Sequence, residues 1–222
     1  MPVIETTADG SHTLFVPEMN EHYHSVNGAR QESVHVFIEA GLRQLPLSEL
    51  SLLEVGFGTG LNAFLTMIEA AESGRFVHYT SLELYPLEPE IISQLNYGKL
   101  ISEQHAHWFE RLHRANWNEE VQITPNFTLY KVKADLCQYT FEQNFDLVYF
   151  DAFAPDKQPE MWNPAHFEQI FSHCNPGAIL TTYCAKGTVR RALIAAGFGV
   201  ERIPGPPGKR QMLRAKKAGI GE

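Results

Sequence analysis

The chain of 222 residues is poor in cysteine: Cys137, Cys174 and Cys184 are far apart and odd in number. No disulfide framework and no metal-ligand spacing can be drawn from them, and a reducing cytoplasm is the expected compartment. No apolar run approaches the length of a membrane span, so no membrane partner is expected. The opening residues Met1-Pro2-Val3-Ile4-Glu5 offer neither a basic segment nor an apolar one, so no signal peptide is expected. There is no internal repeat and no low-complexity linker. His105 and His107 stand two apart and do not share a helix face, which speaks against a metal site. What remains is one globular domain, or one with a small addition, whose 44% hydrophobic content supports a large core.

Charge is present but uneven. The net charge is −8. Residues 186–222 hold nine Lys and Arg against Glu201 and Glu222, a net +7, while residues 1–185 hold nine against twenty-four acids, a net −15. A basic end on an acidic body is either a phosphate-contacting patch or a solvated surface.

The most informative stretch is Leu52-Leu53-Glu54-Val55-Gly56-Phe57-Gly58-Thr59-Gly60-Leu61-Asn62. An apolar strand meets three alternating glycines. Leu61, Phe64, Leu65 and Ile68 then give one apolar helix face. Strand, glycine turn and helix make a nucleotide cradle, because glycine lets the backbone bend and a helix N-terminus offers free N–H groups. Dinucleotide sites ask for G-x-G-x-x-G/A, which Gly58, Gly60 and Ala63 satisfy. S-adenosylmethionine sites ask for an acid followed by G-x-G-x-G, which Glu54, Gly56, Gly58 and Gly60 satisfy. In the dinucleotide pattern the first glycine directly follows the strand. Counting from Gly56, its third glycine falls on Leu61, so the turn favours the methyl donor.

Further strands are expected at 76–82, at 121–123 with 127–132, at 145–150, at 177–183, at 198–203 and at 211–215. Helices alternate with them, which predicts an α/β fold with a mostly parallel sheet and one antiparallel strand. Residues 1–46 form an N-terminal extension of strand, turn and helix, and residues 47–222 the main domain. A helix is expected over 100–118. Glu83 ends the second core strand 23 residues beyond Gly60, the place of a ribose-binding acid. Asp135 ends the third, where a carboxylate either accepts an adenine amino group or caps a helix. Asp151 follows the fourth, at the ligand-binding edge of an open sheet.

These motifs resemble the class I S-adenosylmethionine-dependent methyltransferases. Within that class the chain looks like the methyltransferase half of the bifunctional tRNA wobble-uridine enzymes that make 5-methylaminomethyl-2-thiouridine. The resemblance runs from about Tyr23 to Leu213. It rests on Gly56-Phe57-Gly58-Thr59-Gly60-Leu61-Asn62, Asp151-Ala152-Phe153-Ala154-Pro155, Pro159-Glu160-Met161-Trp162, Val189-Arg190-Arg191-Ala192-Leu193 and Lys209-Arg210-Gln211-Met212-Leu213. Gln158 and Gln211 depart from the family pattern, which has Asn and Glu there.

The resemblance implies a Rossmann-like seven-stranded sheet and S-adenosyl-L-methionine as cofactor, held by Glu54, Gly56, Phe57, Gly58, Gly60, Asn62, Glu83, Asp135 and Asp151. It implies tRNA as partner, through the anticodon stem-loop, and not DNA. Substrate contacts are expected from Tyr23, Glu32, Phe153, Trp162, Arg190, Arg191, Lys209 and Arg210. Phe153 and Trp162 are read as stacking surfaces for a splayed base, and the cations as phosphate contacts. Asp151 is the expected catalytic residue. It is read as an orienting hydrogen-bond acceptor and not as a strong base, since a carboxylate's reference pKa is about 4. The sequence ends at Glu222 without a counterpart of the FAD oxidase half, so the expected substrate already carries its aminomethyl group. A small-molecule amine methyltransferase and a non-catalytic nucleotide-binding module are the alternatives. Nothing in the sequence sets an oligomeric state.

Overall fold

The structure is a computed structural model and describes residues 2–221. In chain order its elements are β1 (Val3–Thr6), β2 (His12–Val16), β3 (Glu21–His22), α1 (Ala29–Ser33), β4 (Glu49–Val55), α2 (Leu61–Ser73) and β5 (Phe76–Glu83). Then come α3 (Pro89–Ile92), α4 (Tyr97–Ile101), α5 (Ala106–Arg114), β6 (Glu120–Thr124), β7 (Phe127–Lys133) and β8 (Phe145–Phe150). The chain closes with α6 (Pro164–Ser172), β9 (Cys174–Thr182), α7 (Gly187–Ala196), β10 (Gly199–Pro204) and β11 (Gln211–Lys216).

Eight strands form the main sheet in the order β10-β11-β9-β8-β4-β5-β7-β6. Five neighbours, β9, β8, β4, β5 and β7, run parallel. The expected seven strands with one antiparallel member, β11, are all there. The count is corrected to eight, because β6 adds a second antiparallel strand at the edge beside β7. Asn126, in the turn between β6 and β7, donates from Nδ2 to the carbonyls of Ala70 and Arg75 and so ties the hairpin to the end of α2.

The parallel strands are apolar on both faces because helices cover both. Alternate residues go to opposite layers. Leu52, Leu147 and Tyr149 join one hydrophobic cluster, with Phe64 of α2. Leu53, Val55, Val148 and Phe150 join the other, with Phe167 of α6 and Leu193 of α7. Each such fully buried side chain contributes about 1.5–3 kcal/mol.

The N-terminal extension shares this core. Leu14, Ala29, Val36 and Phe37 belong to the cluster around α2. The antiparallel sheet β1-β2-β3 leads into α1, which continues as a π-helical turn over 34–39. The helix expected over 100–118 is instead α4, a 3-10 turn and α5. Ser102 is extended, with φ −156° and ψ 102°, and breaks the run.

Candidate active site

The carboxyl ends of the parallel strands open onto one cavity of about 630 Å³. The turn between β4 and α2 forms its floor. Gly56 has φ +94°, and a Cβ there would stand 2.7 Å from the Asp151 carbonyl oxygen. Gly60 has φ +73°, and a Cβ would stand 2.8 Å from His113 Nε2. Neither position admits another residue without strain, so glycine lets the turn pack tightly against the Asp151 backbone and His113.

Three acidic side chains stand at the strand ends. Glu83 is fixed by two backbone donors: the Gly58 N–H reaches Oε2 at 3.0 Å and the Tyr85 N–H reaches Oε1 at 2.9 Å. Each oxygen keeps a further lone pair for a ligand. Asp135 Oδ1 accepts from the Cys137 N–H at 2.9 Å. That bond shapes a turn, and no helix follows for Asp135 to cap.

Asp151 Oδ2 accepts from Asn62 Nδ2 at 2.8 Å. Burial pushes the Asp151 carboxyl up to about 7. The Asn62 bond and the Lys209 charge oppose the rise, and Glu32 adds to it. Its loop is braced from three sides. Gln158 Oε1 accepts from the Phe153 N–H at 3.2 Å, Trp162 Nε1 donates to the Phe153 carbonyl at 2.8 Å, and the Tyr183 hydroxyl donates to the Ala152 carbonyl at 2.8 Å.

The opposite wall comes from both chain ends. Tyr23 lies over Gly58 and meets Phe153 edge-on, with ring centroids 5.0 Å apart. Glu32 accepts from Lys209 Nζ at 2.6 Å and from the Ser25 N–H at 2.7 Å. Lys209 Nζ also sits 3.9 Å from the Tyr183 ring centroid. Burial pushes the His24 imidazole down to about 4, so it is neutral at pH 7. Burial raises the hydroxyls of Tyr23 and Tyr183 above their ordinary value, which keeps both as neutral donors.

The cavity thus brings together Gly56, Phe57, Gly58, Asn62, Glu83, Asp135 and Asp151 with Tyr23, Glu32, Phe153 and Lys209. Six expected site residues lie outside it. Glu54 is wholly buried behind the turn, accepting from the Ser81 hydroxyl at 2.6 Å, so the expected ligand contact there is corrected. Gly60 begins α2 and packs on His113. Trp162 is only 7% exposed and packs among Phe150, Phe167 and Tyr183, so it braces the Asp151 loop and presents no stacking surface. Arg190 and Arg191 ride on α7, and Arg210 is exposed at the β10–β11 hairpin, all away from the cavity lining. Lys209 does line it, but with its ammonium committed to Glu32.

Tyr183 was missed. It directly follows β9, as Asp151 follows β8, so its place at the ligand edge was readable. His24 carried no such signal.

A family model described as S-adenosyl-L-methionine-dependent methyltransferase matches residues 96–218. Over 227 residues the chain is 32% identical to the tRNA 5-methylaminomethyl-2-thiouridine biosynthesis bifunctional protein MnmC of Cupriavidus metallidurans, covering 94% of this chain and 33% of that protein. It is 32% identical to the Pseudomonas aeruginosa protein of the same name, covering 86% of this chain and 31% of the relative. The chain therefore spans about a third of the length of these curated relatives. Among solved structures it is similar to MNMC2 from Aquifex aeolicus, with a TM-score of 0.81 and 25% identity over 97% of this chain and 70% of that one.

Proposed function

Since the chain belongs to the S-adenosyl-L-methionine-dependent methyltransferases, we propose that it methylates the primary amine of 5-aminomethyl-(2-thio)uridine at the wobble position of a tRNA anticodon stem-loop. The product is 5-methylaminomethyl-(2-thio)uridine. The observation that carries this reading is Asp151, hydrogen-bonded by Asn62 between the glycine cradle and a wall of Tyr23, Glu32 and Tyr183. The names of the curated relatives point to this nucleoside.

The residues present fit the cofactor. The cavity lies over the glycine turn, where Gly56 and Gly58 let a ligand approach the backbone closely. Glu83, held by two N–H groups, would take a ribose diol, and Asp135 an adenine amino group. When bound, S-adenosylmethionine supplies an electrophilic methyl group on a sulfonium.

The chain's own part is to present a nucleophile. An alkyl amine with a pKa of roughly 10 is protonated at neutral pH and has no lone pair to offer. Asp151, lifted to about 7 by burial, takes that proton far more readily than a carboxylate at its usual value. Once that proton has passed on to solvent, the Asp151 carboxylate accepts an N–H hydrogen bond, aims the lone pair at the methyl group, and offsets the positive charge left on nitrogen. An approaching cation also favours the ionised form of Asp151. The new C–N bond forms as the C–S bond breaks.

Tyr23 and Phe153 give an aromatic corner against which a splayed base can stack. Residues 1–46 supply Tyr23 and Glu32 to the substrate wall, and residues 47–222 form the cofactor-binding domain and complete that wall with Tyr183 and Lys209. Exposed Arg210 stands where a phosphate can reach it. The three free thiols suit the cytoplasm.

The test is to incubate the protein with labelled methyl donor and tRNA carrying 5-aminomethyluridine, digest the RNA and identify the labelled nucleoside. Label in 5-methylaminomethyluridine is expected. Transfer only to free amines, or to another nucleoside, would overturn the reading.

A further inference from the structure

Behind the glycine turn lies a buried polar cluster that the proposed reaction does not touch. Glu54 is 0% exposed near the end of β4, and the Ser81 hydroxyl donates to its Oε2. Tyr79 of β5 and Asn62 of α2 face the same carboxyl. Three atoms there, Glu54 Oε1, Asn62 Oδ1 and the Tyr79 hydroxyl oxygen, are buried and have no hydrogen-bond partner among the described residues. An unsatisfied buried polar atom costs about 1–3 kcal/mol, so the atoms of Tyr79 and Asn62 beside the Glu54 carboxyl call for protons shared with it.

The donors can be counted. The Ser81 proton is committed to Oε2. Tyr79 brings one proton, which Glu54 Oε1 can accept, while Asn62 Oδ1 waits for another. An ionised Glu54 leaves Asn62 Oδ1 empty. A neutral Glu54 brings the missing donor. The titratable groups that face Glu54 are Asp151, Tyr79 and Tyr149, all of them acids that supply no compensating positive charge. Burial, with the Asp151 charge adding to it, pushes Glu54 up to about 8 against the opposing influence of the Ser81, Tyr79 and Asn62 side chains.

We propose that Glu54 is a protonated positioning residue: its carboxyl proton goes to Asn62 Oδ1 and so fixes the amide with Nδ2–H toward Asp151. With both Asn62 ends engaged, the amide cannot rotate to set its oxygen against the Asp151 carboxylate. Glu54 therefore acts on Asp151 through Asn62, from outside the cavity. The effect on turnover rests on the role of Asp151 given above. The protonation does not.

Infrared spectroscopy of the intact protein tests the protonation without any substrate. At pH 7 D151N is expected to keep a protonated-carboxyl C=O band that disappears in the D151N/E54Q double variant and fades as the pH is raised to 9. Its absence from D151N at pH 7 would overturn the proposal. If E54Q does not fold, the alkaline titration of D151N alone still decides. The positioning role is read from single-turnover rates. The amide introduced by E54Q keeps a donor but cannot ionise, so the ratio of E54Q to wild-type rate should rise several-fold between pH 7 and pH 9. A ratio independent of pH would sink the positioning role, whatever the infrared result.

Discussion

The two walls of the cavity are built in different ways. The cofactor wall is made of neighbours: the turn at 56–60, Glu83 and Asp135 follow one another through successive βα units, and the Gly58–Glu83 bond spans 25 residues. Its contacts use backbone N–H groups. The substrate wall is made of strangers. Glu32 meets Lys209 across 177 residues, and outside the cavity lining His35 meets the Pro204 carbonyl across 169 and Lys157 meets the Met19 carbonyl across 138. Its contacts use long side chains. The first wall is therefore a property of the strand–turn–helix unit, while the second exists only once both chain ends have docked. A scaffold for binding one cofactor can be reused under many such second walls.

Asp151 lies where the walls meet, and its loss should have the largest effect. Asp151→Asn keeps shape and one acceptor oxygen but removes the charge. Single-turnover rates at saturating tRNA and methyl donor should fall by roughly 10²-fold or more, with both affinities changing much less. Near-wild-type rates would reduce Asp151 to a loop element.

Glu83→Ala breaks the first wall alone. It removes charge-assisted hydrogen bonds worth roughly 1.5–3 kcal/mol each. Calorimetry should show S-adenosylmethionine binding at least ten-fold weaker and tRNA binding unchanged. A parallel loss of both would mean that the walls are not separable.

Glu32→Gln breaks the second wall alone. It leaves the Lys209 ammonium without its charge partner. With Lys209 34% exposed, the cost is nearer the surface than the buried range, about 1 kcal/mol. The melting temperature should fall by roughly 2–4 °C and KM for tRNA should rise, with donor affinity intact. Weaker methyl-donor binding would contradict the division.

Arg210→Glu should do less. The salt dependence of tRNA binding should flatten by about one phosphate contact. An unchanged slope would make Arg210 a solvated cation.

The smallest effect near neutrality concerns pH. His24 of the second wall and His113 behind the first are both pushed by burial down to about 4 from 6.5. Each binds fewer protons folded than unfolded, so its contribution to stability is present above pH 6.5 and lost as pH falls through about 4. Melting curves between pH 7 and 4 should show this loss, reduced in His24→Gln and His113→Gln. Equal slopes in both variants and wild type would put acid sensitivity elsewhere.

What the sequence determined by itself was local and periodic. Short continuous apolar runs with helices between them set the parallel sheet. Glycines at alternate positions after β4 marked the cradle, and position at a strand end was enough to find Glu83, Asp135 and Asp151, because strand ends share one edge of the sheet. Only the tertiary structure decided which way a side chain at that edge turns. Glu54 precedes the cradle yet turns into the core. Trp162 reads like Phe153 in composition yet packs inward, since an aromatic ring is equally at home in a core or a binding surface. The basic end could be counted but not sorted. Lys186 is paired with Asp156, Arg214 with Glu201 and Lys209 with Glu32, while Arg190, Arg191 and Arg210 form no ion pair among the described residues. Charge is a property of a residue, but pairing and burial are properties of what the fold sets beside it, and here those partners lie up to 177 residues away.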